Sequence, residues 1–155
     1  MVMAASKKSG ESPKRRIAGR TQWAAQFLVA AELARRGYTV AFTMGNNTPV
    51  ADLMVGAANG KQFWVDVKGQ ISKSPWLVTK KAAREDLYYI LVYLSPEAQG
   101  KYTRQPDIFF VLRQSEANGL VDKYAKEHPG DSGKVPGFRF KDPGRFEDAW
   151  SKLPT

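Results

Sequence analysis

Over residues 20–36 the apolar positions recur with a helical period. At ~100° per residue, Trp23, Phe27, Ala30, Leu33 and Ala34 share one stripe, while Glu32, Arg35 and Arg36 fall on the far side. The pattern predicts an amphipathic helix. Thr21 is a suitable N-cap, Gly37 lies just past the end, and Arg35 and Arg36 suit the negative end of the helix dipole. Gln26 falls inside the apolar stripe, so this helix points an amide at the interior, where it needs hydrogen-bond partners.

Downstream the period changes to two. Residues 38–44 and 50–57 predict two strands, separated by a turn at residues 45–49. Residues 61–70 read as one strand in which Phe63, Val65 and Val67 alternate with Trp64, Asp66, Lys68 and Gln70. One face is therefore apolar, and the other carries a carboxylate beside an ammonium. Asn59-Gly60 predicts a tight turn between the last two strands, which brings Asp52 across from Asp66. Residues 71–81 read as a loop with a short strand at 76–78, and residues 82–86 as a helical turn. Continuous apolar runs at 88–94 and 107–113 predict buried strands on either side of a loop at 95–105. Residues 116–128 have helical character, weakened by Gly119, and residues 129–143 are loop-rich with a short strand at 138–140. Residues 144–153 predict a short terminal helix with Phe146, Ala149, Trp150 and Leu153 on one stripe.

With 155 residues, 43% of them hydrophobic, the chain has material for one domain with a real core. That domain is expected over residues 20–155. Residues 1–19 are polar and read as a flexible basic arm, in which Arg15 and Arg16 are candidates to grip a nucleic-acid backbone. The absence of cysteine excludes disulfides, thiolate zinc sites and cysteine nucleophiles. No apolar run approaches the ~18 residues of a membrane span, and no secretory signal is evident, so a cytoplasmic location is the expectation. The formal charge of +9 favours polyanionic partners, nucleic acid first and anionic membrane second.

Asp52, Asp66 and Lys68 are the residues in which this pattern becomes chemistry. Two carboxylates on adjacent strands repel each other and resist desolvation. A divalent cation relieves both costs, and hard oxygen donors select Mg²⁺ or Mn²⁺. The carbonyl of Val67, between the two side chains of Asp66 and Lys68, is a further candidate ligand. A cation there can polarise a phosphodiester oxygen, with Lys68 stabilising charge on the phosphate. Lys73, Lys80, Lys81 and Arg84 form a basic cluster just downstream, suited either to phosphates or to a solvated surface. Trp64 and Trp76 are candidates to stack on bases, although burial is the commoner fate of tryptophan. His128 is the sole histidine, so no imidazole pair is available for a metal.

The order helix, strand, Pro49-Val50-Ala51-Asp52, hairpin, Asp66-Val67-Lys68 resembles the PD-(D/E)XK nuclease superfamily. Its restriction-endonuclease-like and Holliday-junction-resolvase-like members are the most similar, and the resemblance spans about residues 19–70. It implies an α/β fold, a restriction-endonuclease-like mixed β-sheet flanked by helices. It also implies metal bound by Asp52 and Asp66, catalytic assistance from Lys68, cleavage of nucleic acid with DNA ahead of RNA, and a possible homodimer. The family often has a glutamate on the first helix, and Gln26 holds that place here. Glutamine brings an oxygen without charge, which makes a catalytically inactive nucleic-acid-binding or partner-binding module on the same fold the alternative.

Overall fold

The computed structural model describes residues 13–43, 51–95, 106–130 and 136–155, with side chains from Ala18 onward. The first helix, α1 (Pro13–Arg35), begins at Pro13 rather than at Arg20. Proline suits a first helical turn, where its missing N–H would have no partner and its φ is already helical. Residues 1–12 of the expected arm, and the side chains of Arg15 and Arg16, lie outside the described residues. So do the expected turn at 45–49, the first part of the expected strand at 50–57, and most of the loop at 95–105.

The strands are β1 (Thr39–Phe42), β2 (Leu53–Gly56), β3 (Gln62–Gln70), β4 (Trp76–Leu77), β5 (Leu87–Tyr93), β6 (Ile108–Arg113) and β7 (Gly137–Phe138), with α2 (Gln114–Glu127) following β6. Five of them form a mixed sheet in the order β1-β2-β3-β5-β6, and β4 and β7 form a separate two-stranded ribbon. The pairs β1–β2, β2–β3 and β5–β6 are antiparallel, whereas β3 and β5 are parallel. The architecture is a mixed α/β fold. The β2–β3 hairpin closes as its sequence predicts: Gly60 adopts φ +85° and Asn59 Oδ1 accepts the Lys61 N–H at 2.8 Å.

Both faces of the sheet are covered, which is why β5 is apolar without alternation. Tyr88, Ile90 and Val92 face α1, together with Val65, Val67, Val29 and Leu33. Leu87, Tyr89 and Leu91 face α2 and the ribbon, together with Trp76, Leu112, Val121 and Phe138.

Three sequence expectations are corrected. The buried stripe of α1 is Ala25, Gln26, Val29 and Leu33, not the one centred on Trp23 and Phe27. Those two rings stack on each other at 5.8 Å, Phe27 meets Phe42 edge-on at 5.5 Å, and both stay exposed at the rim. The cause is close approach: a Cβ built on Gly69 would fall 2.5 Å from Ala25 Cβ and 3.0 Å from the Thr21 carbonyl oxygen. Only a small residue fits there, so the bulky ones turn away. Second, residues 82–86 form no helical turn. Gln114 accepts the Arg84 N–H and donates to the Ala82 carbonyl at 2.7 Å, taking groups that a helical turn would have paired. Third, the expected terminal helix is two short 3₁₀ turns, Gly144–Phe146 and Trp150–Lys152, separated by Asp148 at φ +48°. The segment wraps the edge of β6, so Phe146 packs on the α2 face while Trp150 and Leu153 pack on the α1 face.

No helix among the described residues is long and apolar enough to cross a membrane.

Gly69→Ala is expected to destabilise the fold by about 1–3 kcal/mol, because α1 and β3 must separate to admit the methyl group. Gly119→Ala, in α2 with nothing within 4 Å of the added carbon, is expected to stabilise by about 0.5–1 kcal/mol. Urea unfolding of the two variants checks both signs.

Candidate functional site

β3 runs nine residues and β2 only four, so beyond Val65 one edge of β3 has no strand partner. Its backbone groups there still need hydrogen bonds. Side chains supply them. Asp52 Oδ2 accepts the Val67 N–H at 2.7 Å. Gln22 Nε2 donates to the Val67 carbonyl at 2.8 Å, and Gln22 Oε1 accepts the Gly69 N–H at 3.4 Å. Asp52 is itself fixed from behind, because Thr43 bonds the carbonyls of Ala51 and Asp52 through Oγ1 and that of Asp52 through its N–H. Gln26, only 4% exposed, donates to Asp52 Oδ1 at 3.1 Å. One turn of α1 thus carries two glutamines, Gln22 bonded to β3 directly and Gln26 linked to it through Asp52.

Asp66 is 3% exposed and lies on the α2 face, in register with Tyr89 of β5. Two ammoniums compensate it. Lys68 Nζ is 2.7 Å from Oδ1, within ion-pair distance but at an angle outside hydrogen-bond geometry, so Oδ1 has a counter-charge and no directed donor. Lys81 Nζ is 2.5 Å from Oδ2, and it also lies 5.9 Å from the centre of the Tyr89 ring. The Tyr89 hydroxyl is buried without a hydrogen-bond partner, and burial, reinforced by the charge of Asp66, pushes its pKa well up. Burial also holds the Asp52 carboxyl above the usual range; the Val67 N–H pulls it down, Asp66 pushes it up, and Lys68 and Lys81 pull it down. The two carboxylates and two ammoniums therefore sense one another electrostatically.

Asp52, Asp66, Lys68, Gln26 and the Val67 backbone come together at this end of β3. The downstream basic cluster divides. Lys81 enters the site, Lys80 pairs with Asp122 at 2.7 Å, and Arg84 grips Asp86 through Nε and Nη2 at 2.9 and 2.7 Å. Lys73 lies 5.9 Å from the rings of Tyr93 and Phe140. Trp76 is buried, stacked on Phe140 with its Nε1 donated to the Phe140 carbonyl, which makes it a core residue rather than a base platform. Trp64 is half-buried beneath Arg84. His128 caps the end of α2. A cavity of about 570 Å³ opens beside Lys68, lined also by Gln22, Gln70, Trp76, Leu77 and Phe138.

Sequence reasoning passed over Gln22, Tyr89 and the destination of Lys81. Gln22 had a signal, since it precedes Gln26 by one helical turn. Tyr89 and Lys81 had none, because the parallel β3–β5 pairing that brings them to Asp66 leaves no local pattern.

The donor chemistry suits a hard cation: Asp52, Asp66 and the Val67 carbonyl are oxygen donors at one end of β3, and Asp66 Oδ1 is a buried oxygen without a hydrogen-bond donor. Among the described residues no group of three or more His, Cys, Asp and Glu side chains that could hold a metal ion is present. Compared with family models, curated proteins and solved structures, the chain matches none of them.

Because the folded Asp52 carboxyl binds its proton more tightly than the unfolded one, its contribution to stability is largest below the ordinary value of 3.8. That contribution is lost as pH rises through the raised folded value. The stability difference between Asp52→Asn and wild type is therefore expected to move in the variant's favour as pH rises from acid to neutral. Urea unfolding across that interval checks it; a difference that stays constant contradicts the assignment.

Proposed function

We propose that this chain is a metal-dependent nuclease of the PD-(D/E)XK kind, hydrolysing phosphodiester bonds in nucleic acid, DNA first. The observation that supports it best is the hydrogen bond from the Val67 N–H to Asp52. It ties the upstream acid to the residue between Asp66 and Lys68, so both carboxylates and the lysine serve one location. The reading takes the fold to be restriction-endonuclease-like, with Asp52, Asp66 and the Val67 carbonyl holding Mg²⁺ or Mn²⁺.

When bound, the cation supplies Lewis-acid polarisation of a phosphodiester oxygen and a water of lowered pKa. The protein supplies the rest. Lys68, half-exposed beside the cavity, offers its ammonium to the charge that builds on the phosphate as the P–O bond to the leaving oxygen breaks. Gln26 keeps Asp52 oriented, and Gln22 keeps the Val67 carbonyl oriented. Lys80 and Arg84 sit in exposed ion pairs. Such pairs are worth about 0–1 kcal/mol, so a nucleic-acid phosphate can replace their carboxylates.

The second reading is a nucleic-acid-binding module without catalysis. It is favoured by the uncharged Gln26 and by Lys68 and Lys81, which already balance both acids. It predicts salt-sensitive binding without cutting.

Incubation with duplex, branched and single-stranded DNA and with RNA, in Mg²⁺ or Mn²⁺, separates the two. The expected outcome is cleavage by the wild type and a loss of about 10²-fold or more in Asp66→Asn and in Lys68→Met. Cutting that survives in both variants removes these residues from the mechanism. Binding without cutting by the wild type moves the conclusion to the second reading.

A further inference from the structure

We propose that Lys81 competes with a divalent cation for Asp66, and that it thereby sets how tightly this site takes one. The inference rests on the reading of Asp66 as a metal ligand. The two lysines on Asp66 are not equivalent. Lys68 is two residues along the same strand and meets Oδ1 out of hydrogen-bond geometry. Lys81 comes from the crossover between β3 and β5 and makes the direct hydrogen bond, to Oδ2. An ammonium 2.5 Å from that oxygen repels a divalent ion arriving at either oxygen of the carboxylate, the open Oδ1 included.

Displacement is feasible because the backbone and the side chain of Lys81 are held differently. The backbone is clamped from α2. Asn118 Nδ2 donates to the Lys81 carbonyl at 3.3 Å, and Gln114, buried in α2, bonds the neighbouring Ala82 carbonyl and Arg84 N–H. The side chain is 35% exposed and lies on the Tyr89 ring, so the ammonium has a path to solvent while the loop stays in place. Asp66, 5% exposed at its side chain within a central strand, has no such freedom. The charges point the same way. Asp52 and Asp66 are matched by Lys68 and Lys81, so a divalent ion enters a neutral site and leaves it doubly positive unless an ammonium departs or a phosphate arrives.

Calorimetric titration with Mn²⁺ alone tests the proposal on wild type, Lys81→Met, Lys81→Arg and Lys80→Met. Lys81→Met is expected to bind about tenfold tighter than wild type, equivalent to about 1.4 kcal/mol. Lys81→Arg, which keeps the charge, and Lys80→Met, which alters the neighbouring surface pair, are expected to stay near wild type. A purely structural role for Lys81 gives the opposite sign, since loosening the site weakens binding. Equal or weaker binding in Lys81→Met, with Mn²⁺ bound by the wild type, overturns the role of Lys81 and leaves the metal reading standing. No binding by any of the proteins overturns both. Should Lys81→Met fail to fold, the wild type still answers: the Lys81 Nζ resonance is expected to shift on Mg²⁺ titration as its ion pair breaks, and an unmoved resonance overturns the proposal.

Discussion

A carboxylate buried in the central strand of a sheet must be met by positive charge, and much of this structure follows from meeting that need at Asp66. Burying an ionised carboxyl unpaired costs several kcal/mol even after relaxation. Residues from β3 itself and from the crossover converge on it. The crossover is held down in turn by Gln114 and Asn118 of α2. Helix α2 therefore does more than cover the second face of the sheet, because its polar side chains determine where the loop bearing Lys81 can lie. A buried ion pair of this kind is weak evidence of stabilisation, since an apolar strand would bury at lower cost.

The second constraint is the mismatch in length between β2 and β3. An unpaired strand edge is ordinarily a liability. Here the bare half of β3 is completed by Asp52 and Gln22, which occupy its N–H and C=O groups as a neighbouring strand would. This arrangement works only because α1 lies close enough for Gln22 and Gln26 to reach, and that closeness depends on Gly69 meeting Ala25. The fold and the candidate site are thus one problem: the contact that sets the phase of α1 also sets which polar side chains arrive at the strand edge.

What was legible in the sequence was whatever is encoded over short distances. The alternation from Phe63 to Gln70 identified β3 and its two faces, Asn59-Gly60 identified the hairpin, and together they brought Asp52 beside β3. Gln26 was legible as a buried amide because a wide apolar stripe included it in either phase. The exact phase was not legible, since the choice between the Trp23–Phe27 face and the Ala25–Val29 face turns on a glycine some forty positions away, in β3. Nor was the break at Asp148, where wrapping the edge of β6 overrides a plausible helical stripe. Lys81 read as one more surface lysine for the same reason: its partner is selected by a parallel crossover, and a crossover has no local signature.

These two constraints bear on the uncharged Gln26. An acid at that position would add a third negative charge to a site whose two carboxylates are already matched by two ammoniums, and burial already raises the Asp52 carboxyl with Asp66 adding to the rise. A glutamine avoids that addition and donates an N–H to Asp52 Oδ1, which a carboxylate cannot do. Gln26 and the second lysine on Asp66 are therefore physically consistent with each other: a site that carries Lys81 needs less negative charge from the helix. In the nuclease reading this describes a centre for one cation rather than two, with positive charge in reserve for the phosphate. In the binding reading the same balance describes a neutral seat whose lysines turn to the phosphate directly.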